Sequence, residues 1–209
     1  LTGFDRTDAA RALIQASGVP TVYLMETARD EQAYCVGFSQ FNAGKAMTDH
    51  LLARGRRRIA FAAAQLDPRV MQRLEGYRAA MAFVGLRDEA LEWLSPQPSS
   101  MALGGKLLEQ HLAAQPDVDA VFFCNDDLAQ GGLLAALRLK VAVPQRVAIA
   151  GFNDLAGSDQ MYPPLTTIRT PRVAIGEHAA AMLMARMRGE EVTQRSADLG
   201  WELVQRGST

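Results

Sequence analysis

Short apolar runs alternate with stretches of helical spacing along the whole 209-residue chain, and this alternation most constrains its fold. The clearest runs are residues 21–25, 34–38, 58–62, 120–124 and 147–150, with weaker ones at 91–94 and 165–169. Between them the spacing predicts helices. Asp5 or Thr7 caps one over Ala9, Leu13 and Ile14, which Gly18 and Pro20 stop. Asn42 caps a second with Ala43, Ala46, Met47 and Leu51 on one face, closed by Gly55. Asp67-Pro68 opens a third, carrying Val70, Leu74, Tyr77 and Met81 inward as far as Gly85. Ser99 or Ser100 opens a fourth with Leu103, Leu107, Leu108 and Leu112, and Asp126 or Asp127 a fifth through Leu133, Leu134 and Leu137. Pro171 opens a long helix over Ile175, Ala179, Met182, Leu183 and Met187, stopped by Gly189; residues 198–204 read as one or two strands. Strands that feed helices in this way give an α/β fold with parallel sheets and helices on both faces.

Charge narrows the function. Lys and Arg total 22 against 23 Asp and Glu, a net charge of −1. A chain that grips nucleic acid by itself carries a basic excess, so this one is not expected to hold DNA alone. Lys occurs only at 45, 106 and 140, so 19 of the 22 basic residues are Arg. Codon bias accounts for such an excess, and so does selective use of guanidinium at an anion site. Cys35 and Cys124 lie far apart in apolar runs and read as buried free thiols rather than a disulfide or metal pair. No apolar run reaches the roughly 20 residues of a membrane span, and no signal peptide is visible. The chain opens on Leu1 without an initiator Met and is expected to be a piece of a longer protein.

In open α/β sheets ligands sit beyond the carboxyl ends of the strands. The residues there are Glu26; Asp67, Arg69 and, one turn on, Arg73; Ser99 and Ser100; Asn125 and Asp126; Phe152, Asn153 and Asp154; and Arg172, which opens the last helix. Taken singly, Asp67, Ser99 and Asp126 read as helix caps; taken together, the set reads as a polar pocket. It is poor in nucleophiles and metal ligands. His50, His111 and His178 fall within helices, away from the strand ends, and neither a dinucleotide nor a P-loop glycine motif is present. Catalysis is therefore not expected, and no cofactor or metal is implied.

Six strings, in order along nearly the whole chain, resemble the LacI/GalR transcriptional regulators. They are Val36-Gly37-Phe38 continuing through Ala43 to Arg54-Gly55-Arg56-Arg57-Arg58-Ile59-Ala60; Arg73-Leu74-Glu75-Gly76-Tyr77-Arg78-Ala79-Ala80-Met81; Asn125-Asp126-Asp127-Leu128-Ala129; Val147-Ala148-Ile149-Ala150-Gly151-Phe152; Pro163-Pro164-Leu165-Thr166-Thr167-Ile168; and Arg206-Gly207-Ser208-Thr209. The third string and Thr170-Pro171-Arg172 look most like the gluconate-utilisation branch. The resemblance implies a two-lobed core of periplasmic-binding-protein type (type I), with residues 1–37 and 168–200 in the N-terminal lobe and 38–167 and 201–209 in the C-terminal lobe. It implies a cytoplasmic homodimer that senses a small-molecule effector and reaches operator DNA through a headpiece outside this chain, with no membrane contact. The first strand–helix units of the first lobe are also expected to lie outside the chain, and Met161 and Tyr162 are expected at the dimer contact. Effector binding shifts the populations of two lobe arrangements in such regulators.

Carried over residue by residue, Arg73 matches the effector-gripping Arg and Asn125 a hydrogen-bonding Asn. Asn153 replaces an Asp of sugar-binding relatives, Ser99 an aromatic and Arg172 a Phe, while Glu26 falls one residue beyond a usual Asp. Ser39 and Gln40 replace an Asp-Asn pair, a change expected to alter only a helix start. With Arg69 added, these departures remove a carboxylate and two aromatics and add positive charge. Guanidinium fits carboxylate or phosphate through a planar donor fork. The expected effector is therefore an anionic sugar derivative, such as gluconate or a phosphorylated sugar acid. The competing arrangement pairs Arg172 with Glu26 or Asp126. The alternative function is a periplasmic solute-binding protein for a sugar or sugar acid.

Overall fold

The computed structural model describes residues 1–27 and 33–209. The elements run α1 (Asp8–Ser17), β1 (Tyr23–Leu24), β2 (Cys35–Gly37), α2 (Gln40–Ala53), β3 (Ile59–Ala64), α3 (Pro68–Phe83), β4 (Glu92–Ser95), α4 (Met101–Ala114), β5 (Ala120–Phe123), α5 (Asp126–Arg138), β6 (Ala148–Ala150), β7 (Thr167–Arg169), α6 (Arg172–Met187), β8 (Ser196–Asp198) and β9 (Glu202–Val204). They divide into two compact units, Leu1–Ser39 with Pro171–Trp201 and Gln40–Thr170 with Glu202–Thr209. The sequence puts the crossings at 37/38, 167/168 and 200/201; the contacts of the chain divide it at 39/40, 170/171 and 201/202.

In the first unit β1, β2 and β8 form a parallel sheet in the order β1-β2-β8. Thr7 caps α1 by accepting from the Ala10 N–H, and Gly18 ends the helix in the left-handed region that favours glycine. Arg186 of α6 lies 3.9 Å over the Tyr34 ring and donates to the Thr21 carbonyl at 2.6 Å, which ties the helix to the sheet.

The second unit holds the main core. Its parallel sheet has the order β4-β3-β5-β6, with β3, β5 and β6 wholly buried. Adjacent residues of a strand point to opposite faces, and β5 shows what each face carries. Phe122 meets Phe61 edge-on, and Phe61 in turn packs on Tyr77 of α3. Phe123 points the other way, against Gly132 of α5. Helices α3 and α5 therefore cover opposite faces, with α2 packed on α3 and α4 on α5. The chain leaves β3 toward β4 on one side and returns to β5 on the other, so the sheet has a switch point between β3 and β5, the place where sheets of this kind bind ligands.

Three local expectations change. Helix α2 starts at Gln40 rather than being capped by Asn42, which lies in its first turn. Asn125, not Asp126 or Asp127, caps α5, its Oδ1 accepting from the Leu128 N–H at 3.0 Å. The tail is two strands, and β9 runs antiparallel to β7, so the sheets are not all parallel. Much of the Arg excess staples loops. Arg54 donates to the Thr209 carbonyl, Arg56 to that of Pro144 and Arg146 to that of Val118, while Arg58 pairs with Asp88 and Asp117. Among the described residues no helix is long and apolar enough to cross a membrane.

Candidate functional site

Arg73 sits on the second turn of α3 and points back over the carboxyl ends of β5 and β6. Two glycines set its place: a Cβ on Gly44 of α2 would meet the Arg73 backbone, and one on Gly76 of α3 would meet the Phe41 carbonyl. The bare backbones let α2 and α3 touch at this level. The side chain is 6% exposed. Its Nε donates to Gln40 Oε1 at 2.8 Å, its Nη1 donates to the Cys124 carbonyl at 2.6 Å, and its guanidinium carbon lies 3.8 Å from the centre of the Phe152 ring. All three partners are neutral. Among the described residues Nη2 has no hydrogen-bond partner, and it is not one of the fully enclosed polar atoms. Burial lowers the Arg73 pKa to about 10, so it remains a cation near neutral pH. Asp67 and Asp126 act on it only from beyond hydrogen-bond distance, and a desolvated charge whose direct partners are all neutral is costly unless an anion completes it.

The other sequence candidates of this unit surround the same strand ends. Ser99 Oγ and Asn125 lock together, 2.8 Å from Nδ2 and 3.1 Å from Oδ1, and both are half-buried. Asn153 follows Phe152 with φ +111°, a region costly for a residue with a Cβ. It is held by its N–H to the Ile168 carbonyl at 2.8 Å. Asp67 caps α3, accepting from the Arg69 and Val70 N–H groups at 2.9 and 3.1 Å, and pairs with the Arg69 guanidinium at 3.2 Å. Burial pushes the Asp67 carboxyl up, but the Arg69 charge and these hydrogen bonds outweigh it and hold the pKa below the usual range. Arg69 is thus matched by its own helix cap, unlike Arg73.

Asp126 has a different job from the ligand contact expected of it. It is fully buried, and both carboxylate oxygens are used inside the fold. Oδ1 accepts from Thr167 Oγ1 at 2.7 Å; Oδ2 accepts from the Leu155 N–H at 2.7 Å and from Ser158 Oγ at 3.1 Å. Burial raises its pKa. Gly151 lacks the Cβ that would collide with Oδ1. Asp126 therefore anchors the loop that carries Asn153 instead of facing a ligand. Glu26 and Arg172 belong to the first unit. Glu26 is 2% exposed and accepts from the Phe4 N–H at 3.4 Å, while Arg172 is the exposed first residue of α6.

The next residue of that loop, Asp154, also has positive φ and is clamped at 2.8 Å by both Arg169 and Arg206. Burial acts to raise its pKa, yet the two Arg hydrogen bonds prevail and lower it. A depressed folded-state pKa contributes stability that is present above the unfolded pKa and lost as pH falls through the folded one. The stability gap between wild type and Asp154→Asn is expected to shrink as pH falls from about 5 toward about 2. Thermal melts of both proteins across that range check this.

Among the described residues no cluster of His, Cys, Asp and Glu could hold a metal ion. The side chains gathered at these strand ends are suited to recognition: a cation whose direct partners are neutral, a Ser–Asn pair and a strained Asn. The periplasmic-binding-protein-like domain family matches residues 48–209. The transcription regulator GntR from Chromobacterium violaceum has a crystal structure similar to this one, with TM-score 0.97 and 52% identity, covering 100% of this chain and 76% of that one. A LacI family transcriptional regulator from Silicibacter pomeroyi gives TM-score 0.87 at 29% identity, over 98% and 74% of the two chains. The chain belongs to the LacI family of periplasmic-binding-protein-like domains. This LacI-family chain is also 56% identical over 209 residues to the HTH-type transcriptional regulator GntR of Pseudomonas aeruginosa. That match covers 100% of this chain and 61% of the relative, so the chain spans about three-fifths of that protein's length.

Sequence reasoning misses Gln40 at this candidate site, and it places Phe152 at a strand end without its role. Gln40 reads as a changed helix start, yet it is wholly buried and is the side chain that receives Arg73. Phe152 reads as a strand-end hydrophobe, yet its ring is the platform beneath the guanidinium. Gln40 carries one local signal, a polar residue two places after the buried Phe38 at the start of an otherwise amphipathic helix. Phe152 carries its strand-end position, but no local signal for its role beneath the guanidinium.

Proposed function

We propose that this chain is the effector-binding core of a transcriptional regulator that senses a small anionic sugar derivative, with gluconate or a phosphorylated sugar acid as the ligand class. The observation that carries the reading is Arg73: a buried cation whose contacts among the described residues are an amide oxygen, a carbonyl and a ring face, with Nη2 unbonded there. A carboxylate or phosphate is the partner such a group lacks. Ser99, Asn125 and Asn153 are suited to ligand hydroxyls, and Arg69 with Asp67 forms the polar margin. Glu26 and Arg172, which lie in the first unit, remain candidate ligand residues of the reading, Arg172 as a further cation. The two compact units, Leu1–Ser39 with Pro171–Trp201 and Gln40–Thr170 with Glu202–Thr209, are taken as the two lobes of that reading. The names of the relatives support regulation over solute transport or catalysis. They support, by extension, a cytoplasmic homodimer acting on operator DNA through a segment outside this chain. Tyr162, 83% exposed beside Met161, is the proposed dimer contact.

Titration calorimetry with gluconate and glucose tests the ligand class. Gluconate is expected to bind at least about tenfold more tightly, the least that one charge-assisted hydrogen bond supplies. Equal or tighter binding of glucose would overturn the reading.

A further inference from the structure

We propose that Gln40 sets the charge preference of the Arg73 site: its neutral amide leaves the guanidinium without a directly bonded anion, so that the ligand brings that negative charge. This rests on the reading of Arg73 as the acid-binding group. Gln40 is wholly buried, and its Oε1 accepts from Arg73 Nε at 2.8 Å. The other described partners of Arg73 are a backbone carbonyl, which no side-chain exchange alters, and the Phe152 ring, which no acidic side chain matches in shape. The neighbouring carboxylates are already committed, Asp67 to Arg69 and two N–H groups, Asp126 to Thr167, Ser158 and Leu155. Position 40 therefore decides whether a negative charge is hydrogen-bonded directly to the guanidinium, where Asp67 and Asp126 act on it only from beyond hydrogen-bond distance.

The amide is not what helix stability would choose. Gln40 is the first residue of α2, whose first turn holds no acidic residue. A carboxylate there would be favoured by the helix dipole and by Arg73 itself. Glu has the shape of Gln, so the exchange adds a charge without adding volume. The fold gains from that charge, and the ligand loses its counterion.

Titration calorimetry of the full chain with gluconate and with sorbitol, which replaces the carboxylate by a hydroxymethyl group, tests this on wild type, Gln40→Glu and Gln40→Met. Methionine keeps the bulk and the neutrality but loses the hydrogen bond. Gln40→Glu is expected to weaken gluconate by roughly 30-fold or more relative to Gln40→Met. Its sorbitol affinity stays within about threefold of wild type, because only the acid meets the added charge. Gln40→Met keeps the acid-over-polyol preference of wild type at lower affinity. Should Gln40→Glu fail to fold, Gln40→Asp read against Gln40→Asn supplies the same comparison. Equal gluconate affinity in the charged and neutral variants would overturn the role of Gln40 while leaving Arg73 intact. A wild type that does not prefer gluconate over sorbitol would overturn the Arg73 reading itself.

Discussion

Arg73→Met is expected to weaken gluconate binding by about 100-fold or more without a large loss of stability. The guanidinium offers a planar fork to a carboxylate, and Met offers nothing that can replace it. Stability responds differently because Arg73 is not a contented core residue. It is desolvated and, among the described residues, has no hydrogen-bonded carboxylate, so removing it relieves a buried charge even as it orphans Gln40 Oε1 and the Cys124 carbonyl. Each orphan costs about 1–3 kcal/mol, which the relief of desolvation offsets. Melting temperature is expected within about 5 °C of wild type, taking roughly 2–4 °C per kcal/mol for a chain of this size. Calorimetry and a thermal melt on one preparation check both halves. A variant that binds gluconate at the wild-type concentration would remove Arg73 from the site.

Asp126→Ala is expected to be the opposite case, a large loss of stability. The carboxylate satisfies the Thr167 and Ser158 hydroxyls and the Leu155 N–H in a fully buried position. Truncation leaves that buried N–H without its acceptor and opens a cavity beside Gly151. The expected cost is about 3–5 kcal/mol, a large part of a typical domain's stability. Asp126→Asn is expected to cost about 1 kcal/mol or less. An amide can keep its oxygen on the Leu155 N–H and turn its NH2 toward Thr167, whose hydroxyl rotates to accept. Burial raises the Asp126 pKa in the folded state, so the native protein binds the proton more readily than the unfolded chain. Its contribution is therefore greatest below the unfolded pKa and diminishes as pH rises through the folded one. Urea melts of the two variants separate the shape of this side chain from its charge.

These two residues mark how far the sequence carries. Arg73 is legible because it lies one turn past a strand end on a helix whose cap, Asp67-Pro68, is written locally. Its partners are not legible: Gln40 lies 33 residues upstream and Cys124 51 downstream, joined to it only by packing. Asp126 stands among three cap-competent residues, Asn125, Asp126 and Asp127, and local pattern cannot tell which caps the helix and which turns inward. The choice is made by Thr167, Ser158 and Leu155, 29 to 41 residues downstream. Strand and helix order is legible throughout because its signals, apolar runs, caps and Gly stops, are local. The antiparallel β7–β9 pair is not, since the two strands are separated by the whole of α6.

The central claim is that the buried guanidinium of Arg73 takes the acid group of a small ligand. A crystal structure of the protein with gluconate tests it most directly. The account predicts the carboxylate within hydrogen-bond distance of Arg73 Nη2, with ligand hydroxyls toward Ser99, Asn125 and Asn153. Gluconate bound elsewhere, or at these strand ends with its carboxylate turned away from Arg73, would contradict it.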